Sequence, residues 1–115
     1  MPAKLLKVTV KRSKWLRGDE NTSMLLDRAG KMCCLGFACI TAGLKKKDIV
    51  GIGTPSEIGY GRLPKSLAKL TTKEFDSKIC SNLMSANDRE YFEDVREADI
   101  KKLGKKAGLA FTFVD

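Results

Sequence analysis

The chain has 115 residues, of which 43% are hydrophobic and 31% are charged, as expected for one globular domain spanning 1–115. It shows no long apolar run and no basic-then-apolar leader, so we expect neither membrane insertion nor secretion. The net charge of +8 favours anionic partners such as nucleic acid, nucleotide or an acidic protein face, although the same charge also serves solubility.

Three segments carry strand patterns. Residues 6–10 alternate apolar and polar side chains, which predicts a strand with one buried face. Residues 24–26 predict a short second strand that returns against the first in a hairpin-like manner. Residues 109–114 are rich in aromatic and β-branched side chains and predict a third strand.

The segment 32–43 is apolar on every side, which predicts a buried central helix that ends at Gly43. Gly36 lies inside it, and we expect this glycine to allow a close backbone approach to a neighbour. The glycine-rich segment 45–62 is expected to be irregular, either as a lid or as a connector, with Ile49, Val50 and Ile52 as anchors.

Three further helices are predicted in the second half. The first is short, starts near Pro64 and ends at Leu70; the second is capped by Asp76 or Ser77 and broken at Asn87-Asp88; the third covers 90–106. Asp99 falls within the apolar arc of the last helix, so either the helix bends there or Asp99 has a specific partner. The expected fold is α+β, with about three antiparallel strands packed against three or four helices.

Basic residues mark the candidate binding surface. The strand face could hold phosphates while an adjacent tryptophan stacks on a base, or that tryptophan could instead be a core anchor. A lysine run after the central helix adds further charge. The candidate partner- or nucleic-acid-binding residues are Lys7, Lys11, Lys14, Trp15, Arg17, Lys45, Lys46 and Lys47.

The cysteines give little support for catalysis. The sequence has four cysteines and no histidine, and Cys33, Cys34, Cys39 and Cys80 lack the paired spacing of a zinc site. We expect buried, unpaired thiols, no metal and no cofactor. Because Cys33 and Cys34 lie near a predicted helix N-terminus beside Lys31, a cysteine- or metal-dependent enzyme remains a remote alternative.

Three stretches carry a family resemblance: 14–18, 23–26 and the string from Gly30 to Phe37, which reads Gly-Lys-Met-Cys-Cys-Leu-Gly-Phe. The sequence resembles a family of small, mostly uncharacterised bacteriophage and prophage proteins. The similarity covers nearly the whole chain and extends to its closing segment, 108–115.

This resemblance implies a viral origin and action in the cytoplasm of a bacterial host, with no family activity from which a catalytic residue could be transferred. The leading hypothesis is a binding protein without catalysis that antagonises a host protein or ribonucleoprotein complex, for instance a defence system such as CRISPR. The alternative is a nucleic-acid- or nucleotide-binding protein that acts through the basic strand face. The oligomeric state is left open.

Overall fold

The computed structural model describes residues 5–16, 24–58, 62–72, 75–89 and 92–115. Within these ranges the fold is α+β, as predicted. The helices are α1 (Cys34–Thr41), α2 (Lys46–Ile49), α3 (Lys78–Arg89) and α4 (Glu93–Lys106), and the strands are β1 (Leu6–Lys11), β2 (Thr71–Thr72), β3 (Phe75–Asp76) and β4 (Leu109–Val114). Short 3-10 helices cover Arg12–Lys14, Pro55–Ile58 and Lys65–Leu70.

The main sheet pairs β1 with β4 in parallel, from Leu6 opposite Leu109 to Lys11 opposite Val114. The prediction of an antiparallel sheet of about three strands was therefore wrong. Alternating patterns specify which side chains face the core, but they carry no information on strand direction. In the described part of the chain only β2 and β3 pair in the antiparallel sense, through two residues each.

The segment 24–26 does not form a hairpin with β1, in contrast to the prediction. Leu26 instead forms a parallel bridge with Val50, and the Cys33 amide donates to the Met24 carbonyl at 3.1 Å. Its buried residue Leu25 packs in the core. The apolar character of this segment was thus interpreted correctly, while its partner was not.

Helix α1 lies at the centre of the core, and its six residues from Cys34 to Cys39 are all buried. It is shorter than the predicted 32–43, because residues 32 and 33 are extended or bridged before it begins. Gly43 follows the helix with a φ of 109°, a conformation that favours glycine, so the predicted stop is confirmed.

The segment 45–62 is more regular than predicted, because it contains α2 and the 3-10 helix Pro55–Ile58. Helix α3 begins after Ser77, whose hydroxyl accepts the Cys80 amide at 3.2 Å, and it continues through Asn87-Asp88 rather than breaking there. The short helix predicted to start near Pro64 and end at Leu70 is a 3-10 helix, Lys65–Leu70. Helix α4 is continuous past the half-buried Asp99.

Two glycines hold helices close to their neighbours. A Cβ atom on Gly36 would lie 1.8 Å from the Leu25 carbonyl oxygen, so the predicted close approach is confirmed. A Cβ atom on Gly104 would lie 2.5 Å from a ring carbon of Phe111, where α4 packs on β4. These contacts set the distances of α1 and α4 from the segments beside them.

The buried Asn87 side chain connects three parts of the chain. Its Oδ1 accepts the Trp15 indole N–H at 2.7 Å and the Cys34 amide at 3.1 Å. Its Nδ2 donates to the Leu16 carbonyl at 3.0 Å and to an Asp88 carboxylate oxygen at 2.8 Å. The Cys34 amide belongs to the first turn of α1 and has no partner within its own helix, so Asn87 satisfies it from α3.

Replacing Gly36 with alanine is expected to lower the free energy of unfolding by about 2 to 3 kcal/mol, because the new methyl group meets backbone that cannot rotate away. Gly53→Ala is the matched control, since its Cβ would make only an ordinary contact with Glu57 at 3.6 Å. Urea denaturation of both variants measures the difference. Equal stability of the two variants would show that Leu25 can move.

Replacing Asn87 with alanine is expected to cost about 3 kcal/mol of unfolding free energy, because the Trp15 N–H and the Cys34 N–H lose their acceptor in the interior. Asn82→Ala on the same helix is the control, because Asn82 is exposed. Thermal unfolding followed by circular dichroism compares them. A loss below 1 kcal/mol for Asn87→Ala would contradict the proposed connection.

Candidate binding groove

Backbone hydrogen bonds bring two basic segments of the chain together. The Leu25 amide donates to the Ile52 carbonyl at 2.8 Å, and the Gly51 amide donates to the Leu26 carbonyl at 2.9 Å. As a result, the turn after Leu26 and helix α2 lie side by side. Across 24–31 and 45–51 the sequence places five cationic residues and two acidic ones.

The turn at 27–31 is held by Asp27. Its backbone amide donates to the Lys31 carbonyl at 2.8 Å, and its carboxylate accepts the Lys31 amide at 2.8 Å. Gly30 has a φ of 90°, which an L side chain rarely adopts, and its amide donates to the Asp27 carbonyl. The Asp27 carboxylate therefore stabilises the turn and leaves Arg28 exposed at its tip.

A groove of about 320 Å³ lies between this turn and α2, with Lys46, Lys47 and Arg28 among its lining residues. An adjoining recess of about 720 Å³ shares Asp27, Arg28 and Val50 with it. We call the two together the Arg28 groove. Its lining residues are Met24, Leu26, Asp27, Arg28, Ala29, Gly30, Lys46, Lys47, Val50 and Gly51.

Helix α2 presents its lysines through a simple local arrangement. The Asp48 carboxylate accepts the Lys45 amide at 2.9 Å and so satisfies a backbone donor at the start of the helix. Ile49 is fully buried and anchors α2, while Lys45, Lys46 and Lys47 are exposed. The predicted lysine run is therefore brought together with Arg28, and its second and third members line the groove.

The predicted strand-face lysines form a different surface. Lys7 and Lys11 alternate with the buried Val8 and Val10 of β1, so they lie on the outer face of the sheet. Lys14 is exposed in the following 3-10 helix. Lys7 lines a separate recess with Leu5, Leu6 and Ser66, which shares no lining residue with the Arg28 groove.

Arg12, next to Lys11, forms ion pairs with two other parts of the chain. Its guanidinium donates to both carboxylate oxygens of Glu97 at 2.8 Å and to Asp115 at 2.8 Å. The hydrogen bonds with Glu97 and then with Asp115 raise the pKa of Arg12 further above its ordinary value. Arg12 therefore ties the end of β1 to α4 and to the residue after β4.

Trp15 is buried, with 3% of its surface exposed, and its ring centroid lies 4.8 Å from that of Phe113. Its N–H is taken by Asn87. Trp15 is thus a core anchor, which was one of the two interpretations of the sequence. Because its ring is buried, neither face is open for a base to stack on. Arg17, the other residue predicted beside it, lies outside the described residues.

All four cysteines are unpaired and buried. Burial raises the pKa of Cys33 to about 11 and that of Cys39 to about 12, and it also raises the pKa values of Cys34 and Cys80. A thiolate nucleophile requires the opposite shift. The described part of the chain holds no group of three or more His, Cys, Asp or Glu side chains placed for a metal ion.

Sequence reasoning missed two residues of the groove. Arg28 was not among the candidate binding residues, and Val50 was expected to be an anchor of segment 45–62, whereas 46% of its surface is exposed. A signal for both existed in Gly30 and Gly51, each of which has a positive φ and marks a turn beside the groove. What the sequence did not show is that the two turns are neighbours.

The chain matches no protein-family model, no curated protein and no solved structure. Among the described helices, none is both long and apolar enough to cross a membrane. The Arg28 groove is therefore defined by its geometry and charge alone.

The buried thiols predict that stability falls in alkaline solution. The unfolded chain loses thiol protons near pH 9, whereas folded Cys33 and Cys39 retain theirs to about 11 and about 12. The stabilisation is complete well below pH 9 and is lost as pH rises from about 9 toward the folded pKa values, at a limiting slope of about 1.4 kcal/mol per pH unit for each thiol. Urea denaturation at pH values from about 8 to about 11 measures this slope.

Cys39→Ala is the control for that slope, which should become shallower by the contribution of one thiol even if the variant is less stable at every pH. In parallel, a thiol reagent at pH 8 should modify native protein only as fast as it unfolds. Rapid modification of one thiol in the folded state would contradict the buried arrangement.

Proposed function

We propose that this protein is a small basic binding protein that acts without catalysis by occupying an acidic site on a host protein or ribonucleoprotein complex. The observation that carries this proposal is the Arg28 groove, where Arg28, Lys46 and Lys47 from two chain segments surround the exposed Val50. An apolar centre inside a polar rim is the usual composition of a protein-binding surface, and here the rim is cationic.

The overall charge supports the same partner chemistry. A net charge of +8 steers the protein toward anionic surfaces and raises the rate of encounter at low salt. The resemblance to phage proteins suggests that the partner belongs to a bacterial host. A ribonucleoprotein defence complex such as CRISPR is one example of such a partner.

The state of the cysteines supports action by binding. The sequence has no histidine, and the raised pKa values of Cys33 and Cys39 disfavour the thiolate form at neutral pH. The remote alternative of a cysteine-dependent enzyme thus lacks an activated nucleophile among the described thiols.

A second candidate is direct nucleic-acid binding through the sheet. Lys7 and Lys11 share the outer face of the sheet with Thr9 and, on β4, with Thr112. The exposed ammonium groups of the lysines and the hydroxyl groups of the threonines are donors suited to phosphate contacts. Because Trp15 is buried, this face would rely on phosphate contacts rather than on base stacking. Its affinity should fall steeply with salt.

Affinity purification from bacterial lysate, with and without nuclease, tests the two candidates. The double variant Lys46→Glu/Lys47→Glu changes the groove, and Lys7→Glu/Lys11→Glu changes the sheet; each lowers the net charge from +8 to +4. We expect a nuclease-resistant host complex that is retained by the sheet variant and reduced at least tenfold for the groove variant, about 1.4 kcal/mol.

The opposite pattern assigns function to the second candidate. Recovery of many proteins that is sensitive to nuclease and lost in Lys7→Glu/Lys11→Glu would mean that nucleic acid is the ligand. Equal loss in both variants would show that net charge alone drives association, which would overturn the assignment of the groove.

A further inference from the structure

The centre of the Arg28 groove is apolar and accessible. Val50 is 46% exposed there, although the neighbouring Ile49 is fully buried. Gly30 and Gly51 both line the groove, and a Cβ atom on either one would have no described atom within 4 Å. The glycines therefore leave room for a side chain from outside to reach Val50.

Cationic side chains outnumber acidic ones in the lining of the groove. Arg28, Lys46 and Lys47 are exposed on its rim. Asp27 is the one acidic residue among the described lining residues, and one of its carboxylate oxygens accepts the Lys31 amide. The arrangement is complementary to a segment with carboxylates on both sides of one apolar side chain.

The lining residues favour a protein over a nucleic acid as the occupant. Single-stranded nucleic acids are usually held by aromatic side chains that stack on bases, together with cationic contacts to phosphate. Among the described residues that line the groove, none is aromatic; its apolar members are Met24, Leu26, Ala29 and Val50. Aliphatic side chains around an exposed valine offer apolar surface that an apolar side chain of a peptide can bury.

We propose that the Arg28 groove binds an acidic segment of its partner protein and that Val50 determines affinity by contacting one apolar side chain of that segment. This inference rests on the proposed function and adds the class of ligand and a specificity residue. Carboxylates of the segment pair with Arg28, Lys46 and Lys47, while its apolar side chain contacts Val50.

Two labelled polymers with the same number of carboxylates provide the probes: poly-L-glutamate and a glutamate–tyrosine copolymer that is longer by its tyrosines. Fluorescence anisotropy is expected to show about tenfold tighter binding of the copolymer. Val50→Ser should reduce copolymer affinity to that of poly-L-glutamate and leave poly-L-glutamate unchanged. Val114→Ser is the matched control, because Val114 is similarly exposed, at 40%, on the outer sheet face.

Equal affinity for the two polymers, or copolymer binding that Val50→Ser does not change, would overturn this inference. If both polymers are then still lost in Lys46→Glu/Lys47→Glu, the groove remains an anion-binding surface and the proposed function stands. Binding of oligo(dT) in place of either polymer, lost in the same groove variant, would overturn the inference and make nucleic acid the ligand of the groove.

Discussion

The fold depends on one buried amide. The Asn87 side chain accepts hydrogen bonds from the Trp15 indole and the Cys34 amide and donates one to the Leu16 carbonyl. It therefore connects α3 with the segment after β1 and with the first turn of α1. A buried polar side chain of this kind is stable only when its hydrogen bonds are made, so it favours one arrangement of these segments over others. Helix α1, the Trp15 ring and helix α3 are positioned together.

Two glycines, which have no side chain, set how closely two of the helices pack on their neighbours. Gly36 lets α1 lie against the Leu25 backbone, and Gly104 lets α4 lie against Phe111. Leu25 is adjacent to Leu26, whose carbonyl accepts from Gly51. The central helix, the turn that carries Arg28 and helix α2 therefore form a continuous series of contacts. The shape of the Arg28 groove depends on this packing in the core.

The sequence predicted most features that depend on local chemistry. The buried face of β1, the apolar α1, the close approach at Gly36 and the helix stop at Gly43 all follow from residue pattern and backbone preference. Strand direction was wrong, because pairing between β1 and β4 depends on the whole path of the chain. Asn87 was taken as a helix break since its propensity is weak, but buried hydrogen bonds outweigh propensity.

The site was predictable only in part, for the same reason. The lysine run at 45–47 was visible in the sequence, but its neighbour Arg28 lies on a turn that long-range backbone bonds bring alongside. For Trp15 the sequence left two interpretations open, because an aromatic residue beside basic ones can either stack on a bound base or pack in the core. Only its contacts with Asn87 and Phe113 decide between them.

The parallel pairing of β1 with β4 has a consequence for biosynthesis. The two strands are separated by about 100 positions, so the ladder that covers the core cannot close until residue 114 has left the ribosome. Until then Val8, Val10 and the apolar face of α1 lack their final cover. The nascent chain would therefore keep these apolar residues open to chaperones until β4 has emerged, and closure of the main sheet would be a late step of folding.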